Sequence, residues 1–307
     1  MSVVSMGELL IDFVAQESGV TVGEASGFQK APGGAPANVA VAVTRLGAKS
    51  AFLGQVGDDP FGHYLADVLA AEDVDVTGLR FSDKARTMLA FVSLAADGER
   101  SFQFYRNPSA NMLMTPQDVA YDVIDQHQIF HFGSITLIDA PERDATWAAV
   151  KYAQEKGLRI SYDPNLREAL WPSQDAARAG LLSGLDYAHI VKVSEEEVVF
   201  LTGSDDARAL WRDPTEIIVV THGAGGATLY TADAEYHQPG NRVTAVDTTG
   251  AGDSFVAALL VSLLEMGDQP DYDALLRFAN AVGAITTTER GAIPALPTRD
   301  RVEALLS

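Results

Sequence analysis

The chain of 307 residues contains no cysteine. That excludes disulfides, a thiol nucleophile and thiolate metal sites, and it fits a reducing compartment. Basic residues are scarce, with 22 Lys and Arg against 42 Asp and Glu, for a formal charge of −20. Because a nucleic-acid backbone is held by clustered Lys and Arg, nucleic acid is excluded as a general partner, and any anionic ligand must be gripped locally. Long apolar runs are missing as well. The longest, near residues 255–264, is about half of the roughly 20 residues a membrane-spanning helix needs, so no membrane partner is expected. The opening MSVVSMGELLIDFV lacks a basic leader and carries Glu8 and Asp12, so it does not read as a signal peptide. Internal repeats and low-complexity linkers are also absent. The expectation is a soluble, cytoplasmic protein.

What is present is ample apolar material, 47% of residues, enough for one large core over residues 1–307. Compact apolar runs alternate with helical ones. Residues 3–10, 129–134, 158–162, 189–193 and 217–221 read as strands, and 38–46, 61–71, 141–155 and 195–201 as helices, with Gly47 a stop signal for the first. This alternation predicts an α/β fold with a mainly parallel central sheet sandwiched by helices. Two segments break the rhythm. Residues 88–95 and 100–106 flank Asp97-Gly98, a hairpin signal, and residues 13–29 are polar and glycine-dotted. They predict a small antiparallel sheet, covering 13–30 and 86–107, that acts as a lid; an ordinary edge hairpin is the alternative.

The stretch DTTGAGDSF, residues 247–255, enters the apolar run Val256–Val261. A helix N-terminus carries unpaired N–H groups and partial positive charge, so a glycine-rich entry can cradle an anion. Gly250 and Gly252 permit close backbone approach. Asp253 suits no phosphate contact, since like charges repel, but it suits a base, held ionised by the helix end, that takes a hydroxyl proton. The plainer alternative is that Asp247 or Asp253 merely caps the helix. APGGAPANVA, residues 31–40, offers Gly33, Gly34 and the Asn38 amide, either for hydroxyl groups or as a packing turn. THGAGGA, residues 221–227, lacks the G-x-G-x-x-G spacing and is followed by a strand-like run, which argues against a dinucleotide fingerprint.

PGGAPANVA together with DTTGAGDSFVAALL resembles the two signatures of the ribokinase-like (PfkB) carbohydrate kinases, in the same order. Within that family GELLIDF, FYRNPSA, FHFGSITLI, DPNLREALWPS and VKVSEEE resemble fructokinase segments, so the likeness runs over essentially the whole chain. The resemblance implies a ribokinase-like fold and transfer of the γ-phosphoryl of ATP to a sugar primary hydroxyl, the 6-hydroxyl of D-fructose for a fructokinase. It implies Asp253 as base, the Gly250-Ala251-Gly252-Asp253 backbone as anion hole, and Arg167, in the D-x-N-x-R segment with Asp163 and Asn165, as a cation; a surface Arg167 paired with Glu168 or Asp163 is the alternative. For the sugar it points to Asp12, Gly33, Gly34, Asn38 and Arg106. For ATP it points to Lys192, Thr221, Gly223, Gly226 and Asn280, the last of which could equally be a buried helix amide.

The family's N-x-x-E motif stands here as Ser194-Glu195-Glu196-Glu197. Glu197 is implied to act on Mg²⁺ through water, with a solvated helix face as the alternative, and the amide is lost. Backbone carbonyls near Asp247, Thr249 and residues 288–292 are implied as K⁺ ligands. A homodimer through the lid sheet would cover its exposed edge. Sugar choice stays open, because Arg106 and Arg167 could also clamp a carboxylate, which makes 2-keto-3-deoxygluconate the rival substrate.

Overall fold

The computed structural model describes residues 1–94 and 100–307. Its main sheet is built from β1 (Ser2–Met6), β4 (Lys49–Gly57), β5 (Leu79–Ser82), β8 (Ile129–Gly133), β9 (Arg159–Asp163), β10 (Ile190–Ser194), β11 (Ile217–Thr221), β12 (Ala227–Tyr230) and β13 (Glu235–Gln238). Their order across the sheet is β13-β12-β11-β10-β9-β8-β1-β4-β5. All pairs from β5 to β11 are parallel, and β12 and β13 close one edge antiparallel. The helices are α1 (Ala35–Arg45), α2 (Pro60–Ala71), α3 (Tyr121–Ile124), α4 (Glu142–Glu155), α5 (Gln174–Leu185), α6 (Glu195–Thr202), α7 (Ala251–Met266), α8 (Tyr272–Thr286) and α9 (Arg299–Leu306).

Strands covered on both faces are buried along almost their whole length and rich in apolar residues, as β1, β8, β10 and β11 are, with Ser5, His131 and Lys192 as polar interruptions. One core layer packs Val39, Val43, Phe255, Leu259 and Leu276 from α1, α7 and α8. The opposite layer packs Phe130, Phe132, Tyr162, Val150 and Leu181 under α4 and α5. The apolar run at residues 255–264 is the buried body of α7. No helix among the described residues is long and apolar enough to cross a membrane.

The second sheet contains β3 (Phe28–Gly33), β2 (Leu10–Ser18), β6 (Leu89–Leu94) and β7 (Arg100–Tyr105), in that order. The expected all-antiparallel sheet needs correcting. β2–β3 and β6–β7 are antiparallel pairs, but β2 and β6 run parallel, with Asp12 opposite Ala90. Each pair has a short connection of its own, whereas β2 and β6 are joined through β3, α1, β4, α2 and β5, a crossover that permits parallel pairing. The Asp97-Gly98 turn lies outside the described residues.

The single strand expected over residues 3–10 is two. β1 stops at Met6, and the chain leaves the main sheet through Gly7-Glu8-Leu9 before β2 begins in the second sheet. A β-carbon at Gly7 would collide with Pro36. Nor does α1 open at Asn38. It starts at Ala35, with Pro36 in its first turn, where proline costs no hydrogen bond. Asn38 therefore sits one turn inside the helix.

Candidate active site

Parallel strands bring their carboxyl ends to one edge, the usual seat of ligands in open α/β sheets. Here that edge collects Glu8 just past β1, Gly133 opposite Asp163 at the ends of β8 and β9, and Ser194 opposite Thr221 at the ends of β10 and β11. The first turns of α1 and α7 meet there too. Asn38 Nδ2 donates to Asp253 Oδ2 at 2.7 Å, so the two glycine-rich signatures, 215 residues apart, form one site.

Gly250 is the residue that caps α7 and its φ is +80°, a left-handed conformation that favours glycine. No side chain caps this helix. Asp247 does something else: Oδ1 accepts from the backbone N–H and hydroxyl of Thr249, at 2.9 and 2.7 Å, and Oδ2 from the N–H of Gly291 at 2.9 Å. It pins the 247–249 turn to the 288–292 segment. Asp253, one turn into α7, is buried. Burial pushes its carboxyl up to about 6, Asn38 pulls it down, and the Asp163 charge raises it while Lys192 and Arg167 lower it. The helix end expected to hold this group ionised works against burial, and desolvation exceeds the stabilising contacts. The outcome is a carboxyl that titrates just below neutral pH, a range suited to a proton acceptor.

Lys192, near the end of β10, places its ammonium 3.1 Å from Asp163 Oδ2. A β-carbon on Gly252 would lie 3.1 Å from that ammonium. The absence of a side chain at 252 therefore lets a buried cation reach the helix start. Burial works against this charge, but the carboxylates of Asp163 and Glu197 outweigh it, and its pKa is raised. Arg167, half-buried, donates to the Leu166 carbonyl at 3.0 Å, and its charge reaches Asp253 and Glu8. No ion pair with Glu168 or Asp163 forms among the described residues.

Asp12 lies on β2 opposite Ala31, and a β-carbon on Gly33 would collide with its carboxylate. Gly34 has φ +115° and passes so close to the Glu8 carbonyl that a side chain would not fit. Arg106 follows β7 and is 6% exposed. On the far side of Gly252, Thr221, Gly223, Gly226 and Asn280 line a cavity of about 560 Å³ with Phe255 and Thr287. Asn280 spends its amide N–H groups on the carbonyls of Gln238 and Pro239, at 3.0 and 3.2 Å, so it shapes the wall. Glu197 is buried and belongs to a capping box: Ser194 Oγ accepts from the Glu197 N–H at 3.2 Å, and Glu197 Oε2 accepts from the Ser194 N–H at 2.8 Å. Its other oxygen takes the Leu166 N–H at 2.7 Å. Serine caps helices as well as asparagine does, which accounts for the missing amide.

Sequence reasoning missed four groups. Glu8, 3% exposed, accepts the Ala35 N–H at 2.9 Å; burial, reinforced by Asp253, pushes it to about 7 against the pull of its backbone bonds and Arg167. His131 lies beside Glu8 and Asp253 in a small cavity, and burial with Lys192 nearby drives it down to about 3, so it is a neutral imidazole. Glu142 and Asn111 sit behind Arg106. Only Glu8 had a visible signal, a charged residue inside an apolar run.

With Asp253 as base, kcat is expected to fall about tenfold per pH unit below about 6, because the protonated carboxyl accepts nothing. Asn38→Ala removes the donor that favours the ionised form, so the acid limb should move to higher pH. A kcat–pH profile of both enzymes checks this, and a limb that stays put would separate Asn38 from the tuning of Asp253.

Similarity to known proteins follows the same lines. "Probable fructokinase-2" of Arabidopsis thaliana is 53% identical over 305 residues, covering 96% of this chain and 93% of that protein. The fructokinase of Xylella fastidiosa, solved with bound ATP, superposes with a TM-score of 0.92 at 36% identity, over 99% of this chain and 98% of that one. A double mutant of the Vibrio cholerae O395 fructokinase, solved with fructose, ADP and potassium ion, gives 0.88 at 36% identity over 100% and 98%. The model of the pfkB family carbohydrate kinases matches residues 1–299, and the chain belongs to that family.

Proposed function

We propose that this protein transfers the γ-phosphoryl group of ATP to the 6-hydroxyl of D-fructose. The observation that carries this reading is the position of Asp253, whose carboxylate faces Asn38 and Glu8 on one side while the preceding Gly252 borders the 560 Å³ cavity. A sugar bound among Asp12, Asn38 and Arg106 would set its hydroxyl against Asp253. An adenine nucleotide lying along Thr221, Gly223 and Gly226 would direct its terminal phosphate to the start of α7. Asp253 then takes the hydroxyl proton as the oxygen attacks phosphorus, and the N–H groups of 250–253 with the Lys192 ammonium neutralise charge on the transferring group. Phosphoryl transfer asks for positioning and charge neutralisation more than covalent help, so this set is sufficient.

Mg²⁺ supplies further charge neutralisation when bound with the nucleotide. Asp163 and Glu197 suit it through water, because both Glu197 oxygens already accept backbone N–H groups and a strongly hydrated ion needs no direct ligand. K⁺ suits the backbone carbonyls of the 247–249 turn and the 288–292 segment, which Asp247 holds together. ADP release measured with fructose, ribose, adenosine, glucose and 2-keto-3-deoxygluconate in parallel, with and without K⁺, tests the reading; turnover of the sugar acid alone would reject fructose and leave the kinase chemistry standing.

The second sheet is proposed as a lid and as a dimer face. Phe13, Phe28 and Tyr105 ring Phe91 within 5.1–5.2 Å, and Tyr105 is 59% exposed, an aromatic surface that a second copy would cover. Light scattering should then give twice the chain mass, and monomer alone would reject the dimer. If the sheet closes over sugar, amide exchange of peptides spanning 88–106 should slow when fructose is added. Unchanged exchange would make it a static edge.

A further inference from the structure

Arg106 and Glu142 form an ion pair that stops short. Both side chains are almost wholly buried, at 7% and 2% exposure, yet Arg106 Nη2 and Glu142 Oε2 stand 4.0 Å apart, too far for a hydrogen bond. Neither atom has another hydrogen-bond partner, and Arg106 Nε has none either. The carboxylate is not loose. Asn111 Nδ2 donates to Glu142 Oε1 at 2.8 Å, and Ser109 Oγ donates to Asn111 Oδ1 at 2.6 Å. Buried donors and acceptors are nearly always paired, so an Nη2 and an Oε2 held one atom's width too far apart call for something between them. The pair lies within electrostatic reach of the candidate site: the Glu8 charge acts on Glu142, and Glu8 shares the small cavity with Asp253.

We propose that Glu142 is a specificity-determining residue, which with Arg106 takes one sugar hydroxyl between carboxylate and guanidinium and excludes sugars bearing a carboxylate. The inference rests on the reading of Arg106 as a sugar contact. A hydroxyl is the group that fits, because its oxygen accepts from Arg106 and its hydrogen goes to Glu142. A carboxylate can only accept. It would satisfy Arg106 but face Glu142 Oε2, on a carboxyl that burial raises to about 7 and that above this pH is a like charge in a site without bulk water to screen it. Glu142 thereby turns an arginine that would clamp a keto-acid into one half of a hydroxyl site. The same residue accounts for a buried cation that the chain otherwise leaves without a close partner.

The test compares wild type, Glu142→Gln and Asn111→Ala, using the best neutral sugar in the panel as substrate and 2-keto-3-deoxygluconate as competitor and as alternative substrate. All assays run at pH 8, above the raised Glu142 carboxyl, so that Glu142→Gln keeps shape and loses charge. It should tighten inhibition by the sugar acid, or raise kcat/KM for it, by at least about tenfold, since juxtaposed like charges exclude a ligand strongly. The neutral sugar should suffer in KM more than in kcat. Asn111→Ala unpins the carboxylate without removing its charge, so it should raise KM for the neutral sugar and leave the sugar acid excluded. Circular dichroism confirms that each variant is folded. If Glu142→Gln leaves the ratio of sugar acid to neutral sugar where wild type has it, Glu142 does not set specificity and the proposal falls. If Asn111→Ala admits the sugar acid as well as Glu142→Gln does, placement rather than charge excludes it, and the proposal falls equally. A wild type that prefers a neutral sugar other than fructose would overturn the substrate reading alone, because the ratio still reports on Glu142.

Discussion

Asp253→Asn is expected to lower kcat by about two to four orders of magnitude, the range lost when a positioned general base is removed. ATP binding should hardly change, since the nucleotide cavity is bordered by Gly252 and Phe255 and not by Asp253. The variant separates chemistry from folding because of the sign of the carboxyl shift. Burial raises Asp253 from its ordinary value to about 6. A group with a raised folded pKa contributes most to stability below its unfolded pKa, and that contribution is lost as pH rises through the folded value. Above pH 6 the ionised carboxylate is therefore a burden on the fold, which a neutral amide relieves. The Asp253→Asn variant should show a Tm at pH 7.5 equal to that of wild type or above it, while turnover collapses. Scanning calorimetry beside single-turnover kinetics reads both. Near-normal turnover would remove Asp253 from the mechanism, and a lower Tm would mean that the bond to Asn38 stabilises the fold by more than the buried charge costs.

How far such a site is legible in a sequence depends on which contacts make it. Gly250, Gly252 and Asp253 follow one another along the chain, and local physics suffices: a left-handed glycine ends the turn, free N–H groups begin the helix, and the acid sits one turn in. The strands beneath them are legible too, because burial on both faces favours compact, mostly apolar runs. Glu142 shows the opposite case. In the sequence it is an acid in the first turn of a helix, a position that the helix dipole explains without any site. Only the packing of α4 against the segment after β7 buries it beside Arg106. Likewise the run over residues 3–10 is buried throughout although the chain changes sheets inside it, since Leu9 and Ile11 are as buried as Val3 and Val4. Periodicity reports burial, and it does not report which sheet does the burying. The parallel pairing of β2 with β6 was hidden for a related reason: strand direction is set by crossovers, here one containing two helices and three strands.

Lys192→Met is the second large effect, and it separates a structural role from a catalytic one at a single position. The ammonium lies 3.1 Å from Asp163 and is close to Glu197, both buried. Breaking a buried pair leaves an uncompensated charge, which costs about 3–5 kcal/mol. Methionine fills the stem volume but offers no charge, so the denaturation midpoint should fall clearly below wild type. Asp163→Asn added to it removes the stranded carboxylate, and most of the lost stability should return. Turnover should not return with it. The ammonium lies close to Gly252, where the proposed reaction would develop charge on the group in transfer, and loss of one preorganised cation or donor at such a point costs about 10²–10³ in kcat. A double variant as stable as wild type but still slow by that factor would assign Lys192 to the reaction. Recovery of turnover together with stability would show that Lys192 serves only to neutralise Asp163, leaving the helix start of α7 and Arg167 to meet the phosphoryl charge.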